Sequence, residues 1–447
     1  MPRVKSNLVC IAIAIALTAQ IAQAQGDLLD ADEIAEAIVS MTSRVWTGPR
    51  TPEPEPVARP RTGSQILRST HALLSVHADP GVSRQSMRRA LGAVEHARGR
   101  LDAMGWPWPI PDGDLGGGPE LDLYLSTALA PDAYSDAMAV WSYFDRCSTF
   151  AVLSPATPNT KLEACATAAY IDALLMSIDP AEARTWRRAT AAWLTWELTG
   201  QFGCDDDAPS RQQAEPHRSW VAGATGGGAG GALWLAYLSA RHDVVPGQFV
   251  RDAWGLASQR TWEGAGLRAD PDLWSSIESA VDRSGDRLLD NIEELAVMRW
   301  FVGRADGGGA LLASLDSDAQ VPISMEMKHL PTRVIASQPL QTFGSAYLVM
   351  DASNWGGSRR LRAWLQGEYG VSWSFVAVQL DGRGNEIRRI AAPPTGPVPK
   401  AYLPIELEDS TRRLLFVVTN LASGLPDADE PDWSERAFEL IVDRAPD

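Results

Sequence analysis

The sequence predicts an α+β protein, with a helix-rich domain over residues 64–310 and an all-β sandwich over residues 315–447. Three observations predict it. From Ser83 to Gly303, apolar residues recur mostly at helical spacing. Inside that region LDLYL, at 121–125, alternates its leucines with Asp122 and Tyr124, the period of a strand with one buried face. Beyond the loop ADGGGALLASLDSDAQ come seven short runs rich in β-branched and aromatic residues, separated by turns with Gly, Asp, Asn or Pro. That texture belongs to a β-sandwich.

Taken in order, residues 1–24 read as a secretory signal peptide: basic MPRVK, apolar LVCIAIAIALTA and the small-x-small site Ala22-Gln23-Ala24. The apolar run is too short to span a bilayer. Cys10 stands at its start, not its end, which disfavours a lipid anchor. The expected mature chain begins near Gln25 and is secreted or periplasmic, with no membrane span. Removal of Arg3 and Lys5 takes the formal charge from −16 to −18. So acidic a chain disfavours nucleic acid and anionic membranes as partners. Residues 25–63 comprise an amphipathic helix over 27–48 and the Pro-rich arm TPEPEPVARPRTG.

HALLSVHADPG reads as a strand entering a turn, with His71 and His77 as ordinary strand residues and not a metal pair. Ser83 to Met104 form a helix with Met87, Leu91, Val94, Leu101 and Met104 on one face. It breaks at Gly105, before WPWPIPDGDLGGG, where Asp112-Gly113-Asp114 lacks the ligand spacing of a calcium loop. STFAVLS is a strand. TKLEACATAAYIDALLMSIDPAEARTWRRATAAWLTWELTG then forms two helices. The first is apolar nearly all round, so it belongs inside the domain. The second is expected to open with Asp179 as N-cap, Pro180 at the first position and Glu182 three after the cap, and to close at Gly200.

The polar segment after Gly200, with Asp205 to Asp207 and His217, reads as an acidic loop in preference to a metal site shared with Asp172. Gly226, Gly228 and Gly231 satisfy G-x-G-x-x-G, but no strand precedes them, so they open a closely packed helix over Ala232 to Arg241. LWSSIESAVDRSGDRLLDNIEELAVMRWFVG gives two more helices. PDADEPD, with Asp427, Asp429, Glu430 and Asp432, reads as a solvated loop and not a calcium site.

The helix pair at 160–200 resembles the active-site helices of a family of secreted bacterial zinc metalloproteases of the HExxH type. There, two His one helical turn apart bind zinc and the Glu between them is the general base. The long helix, the MGWPWPIPDGDLGGG turn, DLYL and the element Val250-Arg251-Asp252-Ala253-Trp254 resemble the same family. Laid on its pattern, the first His falls on Ala168, the Glu on Ala169, the second His on Asp172 and the third ligand on Arg188. The scaffold positions match and the chemical ones do not. No His lies between His96 and His217, so no HExxH exists here in any register.

The resemblance therefore implies a degenerate member that has lost its zinc and holds no other cofactor. Its expected function is non-catalytic binding of a peptide or protein. The alternatives are an active secreted peptidase or hydrolase with a non-standard site, and a surface or matrix adhesion protein. In the first alternative no G-x-S-x-G marks a serine nucleophile. Ala168, Asp172 and Arg188 should lie together, with an Asp172–Arg188 ion pair in place of the metal. Three cysteines follow the signal peptide. The expected disulfide is Cys147–Cys165, stapling strand to helix and leaving Cys204 unpaired.

Overall fold

The computed structural model describes residues 57–61, 65–141, 144–220, 228–259, 269–304, 320–355, 357–396, 398–424 and 435–445. The expected signal peptide, the 27–48 helix, most of the Pro-rich arm, Gly226 and the PDADEPD loop lie outside the described residues.

The chain is α+β. Its first sheet contains β1 (Ile66–Arg68), β2 (Leu74–Ala78), β3 (Leu121–Leu125), β4 (Asp132–Trp141) and β5 (Phe144–Leu153), in the order β1-β2-β3-β5-β4. β2, β3 and β5 run parallel, and β1 and β4 are antiparallel edge strands. The sequence marks β2, β3 and β5. It does not mark β4, because DAYSDAMAVW carries Asp, Ser and Ala where strands favour β-branched residues.

Helix α1 (Arg84–Ala103) begins where Ser83 Oγ accepts the Ser86 N–H at 3.0 Å, and buries Met87, Leu91, Val94 and Leu101 as its periodicity predicts. α2 (Leu162–Ile178) is buried on nearly every side. α3 (Arg184–Thr199) ends at the left-handed Gly200. The joint between them differs from the expected capping box. Asp179 is the C-cap of α2, and its Oδ1 accepts the Ala181 N–H at 3.1 Å. The buried Glu182 bonds the Ala183 N–H at 2.9 Å and the Leu273 N–H at 2.6 Å. A pull from Leu273, remote in sequence, outweighs the local cap. α4 (Ala208–Ala214), α5 (Ala232–His242), α6 (Gln248–Ala257), α7 (Leu273–Arg283) and α8 (Leu288–Phe301) complete the helical part.

The first sheet is covered on both faces. Leu74, Val76, Leu121, Leu123, Ala151 and Leu153 join the main core with α1 and α2. The other face bears Ser75, His77, Asp122, Tyr124, Phe150 and Val152, all buried. β3 is thus buried at all five positions, not the half expected from its alternation.

Among the described residues, nine strands form the second unit: β6 (Met325–Met327), β7 (Thr332–Ile335), β8 (Ser345–Asp351), β9 (Arg360–Gly367), β10 (Ser372–Leu380), β11 (Glu386–Ala391), β12 (Lys400–Glu406), β13 (Arg413–Ala422) and β14 (Phe438–Arg444). They make a sandwich of two sheets, β11-β10-β13-β8-β6 and β12-β9-β14-β7. One apolar core lies between the sheets. A second cluster joins Ala296, Val297, Trp300 and Phe301 of α8 to the outer face of β8, β10 and β13. Those strands are buried on both faces, which is why they read as unbroken apolar runs.

Candidate functional site

A cavity of about 270 Å³ opens where β4 begins, between α2 and α3; Asp132, Ala168, Ala169, Asp172, Arg188 and Phe202 are among its lining. α2 supplies Ala168 and Asp172, one turn apart on one face. α3 supplies Arg188 and β4 supplies Asp132. The positions singled out by the family resemblance therefore line one cavity.

The ion pair differs from the one expected. Asp172 Oδ1 takes the Nε of Arg187, at 3.2 Å. Arg188 Nη2 instead reaches Asp132 Oδ1 at 3.4 Å, and Arg184 also pairs with Asp132. One residue of helix turns a side chain by about 100°. That rotation aims Arg187 inward, 6% exposed, and leaves Arg188 30% exposed at the cavity. Burial pushes the Asp172 carboxyl above its ordinary value; Arg187 partly offsets this and Asp132 adds to it.

Ala168 and Ala169 offer no donor to a metal or substrate, and Asp172 is engaged by Arg187. Asp205 also lines the cavity, paired with Arg211 at 2.5 Å. Asp206 accepts the Phe202 N–H at 2.8 Å. His217 lies elsewhere, against the sandwich, its carbonyl accepting the Gln341 N–H at 2.9 Å. Among the described residues no group of three or more His, Cys, Asp or Glu is placed to hold a metal.

The disulfide is Cys165–Cys204, not Cys147–Cys165. Cys147 on β5 is buried, faces the last turn of α2 and bonds the Met176 carbonyl at 3.6 Å. Cys165 stands in the first turn, eleven residues earlier, which is about 16 Å along the helix. No disulfide spans that distance. Burial pushes the Cys147 thiol up to about 12. The actual bridge ties the loop after Gly200 to α2. There Gly203, at φ +92°, lies so close that a Cβ on it would come within 2.8 Å of the Ala168 methyl.

A second polar cluster lies on the opposite face of the same sheet. His77 Nε2 is 2.8 Å from Asp122 Oδ1 and 2.8 Å from Ser75 Oγ. Both partners meet one ring nitrogen, whereas a nucleophile relay uses both. Ser75 also donates to Asp122. Arg59 ion-pairs with Asp112, Asp122 and Asp136. Burial opposes its charge, yet the hydrogen bonds it donates to Asp136 and the charges of Asp136 and Asp122 hold it above its ordinary value. Burial, with Asp122 and Asp136 beside it, pushes Asp112 up to about 6 against the pull of Arg59. Asp112 belongs to this cluster and to no cation loop. His71 is exposed on a bend outside the strand and shares nothing with His77. The acid at the second position of LDLYL was the available sign of this cluster; nothing in the Pro-rich arm marks Arg59.

No known family profile matches the chain, and no curated protein matches it. Among solved structures, 26% of the chain is similar to 18% of one described as "Crystal structure of Bacteriophage CBA120 tailspike protein 4 enzymatically active domain". The identity is 11% and the TM-score 0.19, a likeness of a small fragment that carries no argument.

Proposed function

We propose that this is a secreted, non-catalytic metalloprotease-like protein that binds extended peptide. One observation carries the reading. Ala168, Ala169, Asp172 and Arg188 line a single cavity at the start of an edge strand, and none of them offers a free metal ligand or general base. An edge strand offers unpaired backbone groups to an added strand. The cavity beside β4 has a polar end at Asp132 and Arg188 and apolar walls at Val152, Leu153 and Phe202, room for a residue of such a peptide. Activating water would need a free base, and Asp132, Asp172 and Asp205 are each held by an arginine. Export accords with the N-terminal segment and with the Cys165–Cys204 bridge. No helix among the described residues is long and apolar enough to cross a membrane.

The test incubates the purified full chain with a panel of extended peptides, read by fluorescence anisotropy and mass spectrometry. The expected result is binding without cleavage, weakened about tenfold, or about 1.4 kcal/mol, by Arg188→Glu. Turnover of any peptide returns the chain to the hydrolases. Absence of binding across the panel also overturns the proposal.

A further inference from the structure

The arm that precedes the first strand is seated on the sheet. The Val57 N–H donates to Ser135 O of the edge strand β4 at 3.2 Å. The Val57 side chain packs against Tyr124, Phe150 and Val152. Two residues on, Arg59 enters a pit walled by Asp136 of β4, Asp122 of β3 and Asp112 of the turn before β3. Its guanidinium stands over the Phe150 ring, 5.2 Å from the centroid. Gly116 closes over the pit so tightly that any Cβ would collide with the Asp122 carboxylate.

These features are those of a recognition site for a guanidinium. Carboxylates match its fork, and an aromatic face takes its plane. Among the described residues the pit sets Arg59 against three acids, one of which, Asp122, also bonds His77. The Asp112 side chain is 1% exposed, yet its Oδ1 has no hydrogen-bond partner among the described residues. The acid lining exceeds what Arg59 needs. Arg59 also arrives on an extended segment with a backbone bond to a sheet edge, the form in which a separate peptide would present it.

We propose that residues 57–61 are a displaceable strap: the chain's own Arg59 occupies an arginine-recognition site, and an arginine-bearing extended peptide takes its place along β4 when the strap leaves. This rests on the peptide-binding reading and specifies the ligand class. It also makes the wild-type chain bind peptide more weakly than it would without the strap, because Val57 uses part of the edge of β4 that a ligand strand would need.

The test uses the full chain carrying Arg59→Ala and a synthetic peptide of residues 57–61, Val-Ala-Arg-Pro-Arg. The variant should bind the peptide at least tenfold more tightly than the wild-type chain does. Ala in the peptide at the Arg59 position should abolish binding, and Ala at the Arg61 position should leave it within a few-fold. Equal binding by both chains, or indifference to which arginine is replaced, overturns the proposal. Hydrogen exchange on the wild-type chain tests it without any variant. The Val57 amide should exchange at least a hundredfold faster than the amides of Leu123 and Val152, and equal protection would make the arm a fixed part of the core and overturn the strap. If the variant binds the arginine peptide while Arg188→Glu changes nothing, the cavity reading fails and this one stands. If arginine-free peptides bind and depend on Arg188, the reverse holds.

Discussion

At the scale of single residues, neighbouring arginines on α3 have opposite jobs. Arg187 neutralises a buried carboxylate, so Arg187→Ala strands Asp172 without a partner and should destabilise by about 3–5 kcal/mol. Arg188 is part-exposed, and Arg188→Ala should change stability by about 1 kcal/mol or less. Urea denaturation of the two variants checks the order; equal effects would contradict the geometry. Asp112 gives a pH signature. Its carboxyl lies at about 6 in the folded chain, against 3.8 ordinarily, so the folded state holds the proton more tightly. Stability from this group is complete below pH 3.8 and is lost as pH rises through about 6. Asp112→Asn should flatten the slope of unfolding free energy across that window, and an unchanged slope would reassign it. Sequence pattern placed Asp172 on a buried helix and required a partner for it. It could not choose between adjacent arginines, because that choice depends on the rotation of α3 about its axis, which tertiary packing sets.

At the scale of elements, periodicity was a faithful guide where packing is local. α1 and the seven sandwich runs lie where their apolar spacing puts them. It failed where a long-range contact decides. β4 is held by pairing with β5 and needs no strong propensity of its own. β6 and β7 are too short to show a period. The cysteine pairing turned on which end of α2 faces β5, and helix length settles that while sequence separation does not. The Cys165–Cys204 bridge closes a span of 39 residues, and its replacement by a serine pair should cost roughly 2–4 kcal/mol. The loop after Gly200 should then exchange its amides faster while those of β3 stay protected. Thermal unfolding and hydrogen exchange of the double variant read both effects, and uniform loosening of the sheet would contradict a role confined to the loop.

At the scale of the whole molecule, the two units share more than a linker. Tyr347 of β8 donates to the Ala296 carbonyl of α8 at 2.6 Å. Gly344 runs against the His217 carbonyl with no room for a side chain. The apolar contact of α8 with the five-stranded sheet is a core, not a rim. One cooperative unfolding transition is therefore expected, with calorimetric and van't Hoff enthalpies equal. Two resolved transitions would show that the sandwich folds apart from the helical part. The sequence announced two units by its change of texture. Their union was hidden, because the outer face of a doubly buried sheet looks in sequence like any apolar strand.

The contact between Gly203 and Ala168 leaves position 168 no room to grow. A histidine at position 168 would meet the backbone of a loop that a disulfide holds down. One at position 172 would take from Arg187 the carboxylate it bonds, and one at position 188 would release Asp132 from one of its two arginines. Each such substitution is destabilising before any metal can repay it. A metal centre engineered into this cavity therefore begins with freeing the loop and replacing Arg187, and the tether between loop and helix sets what the cavity can be made to hold.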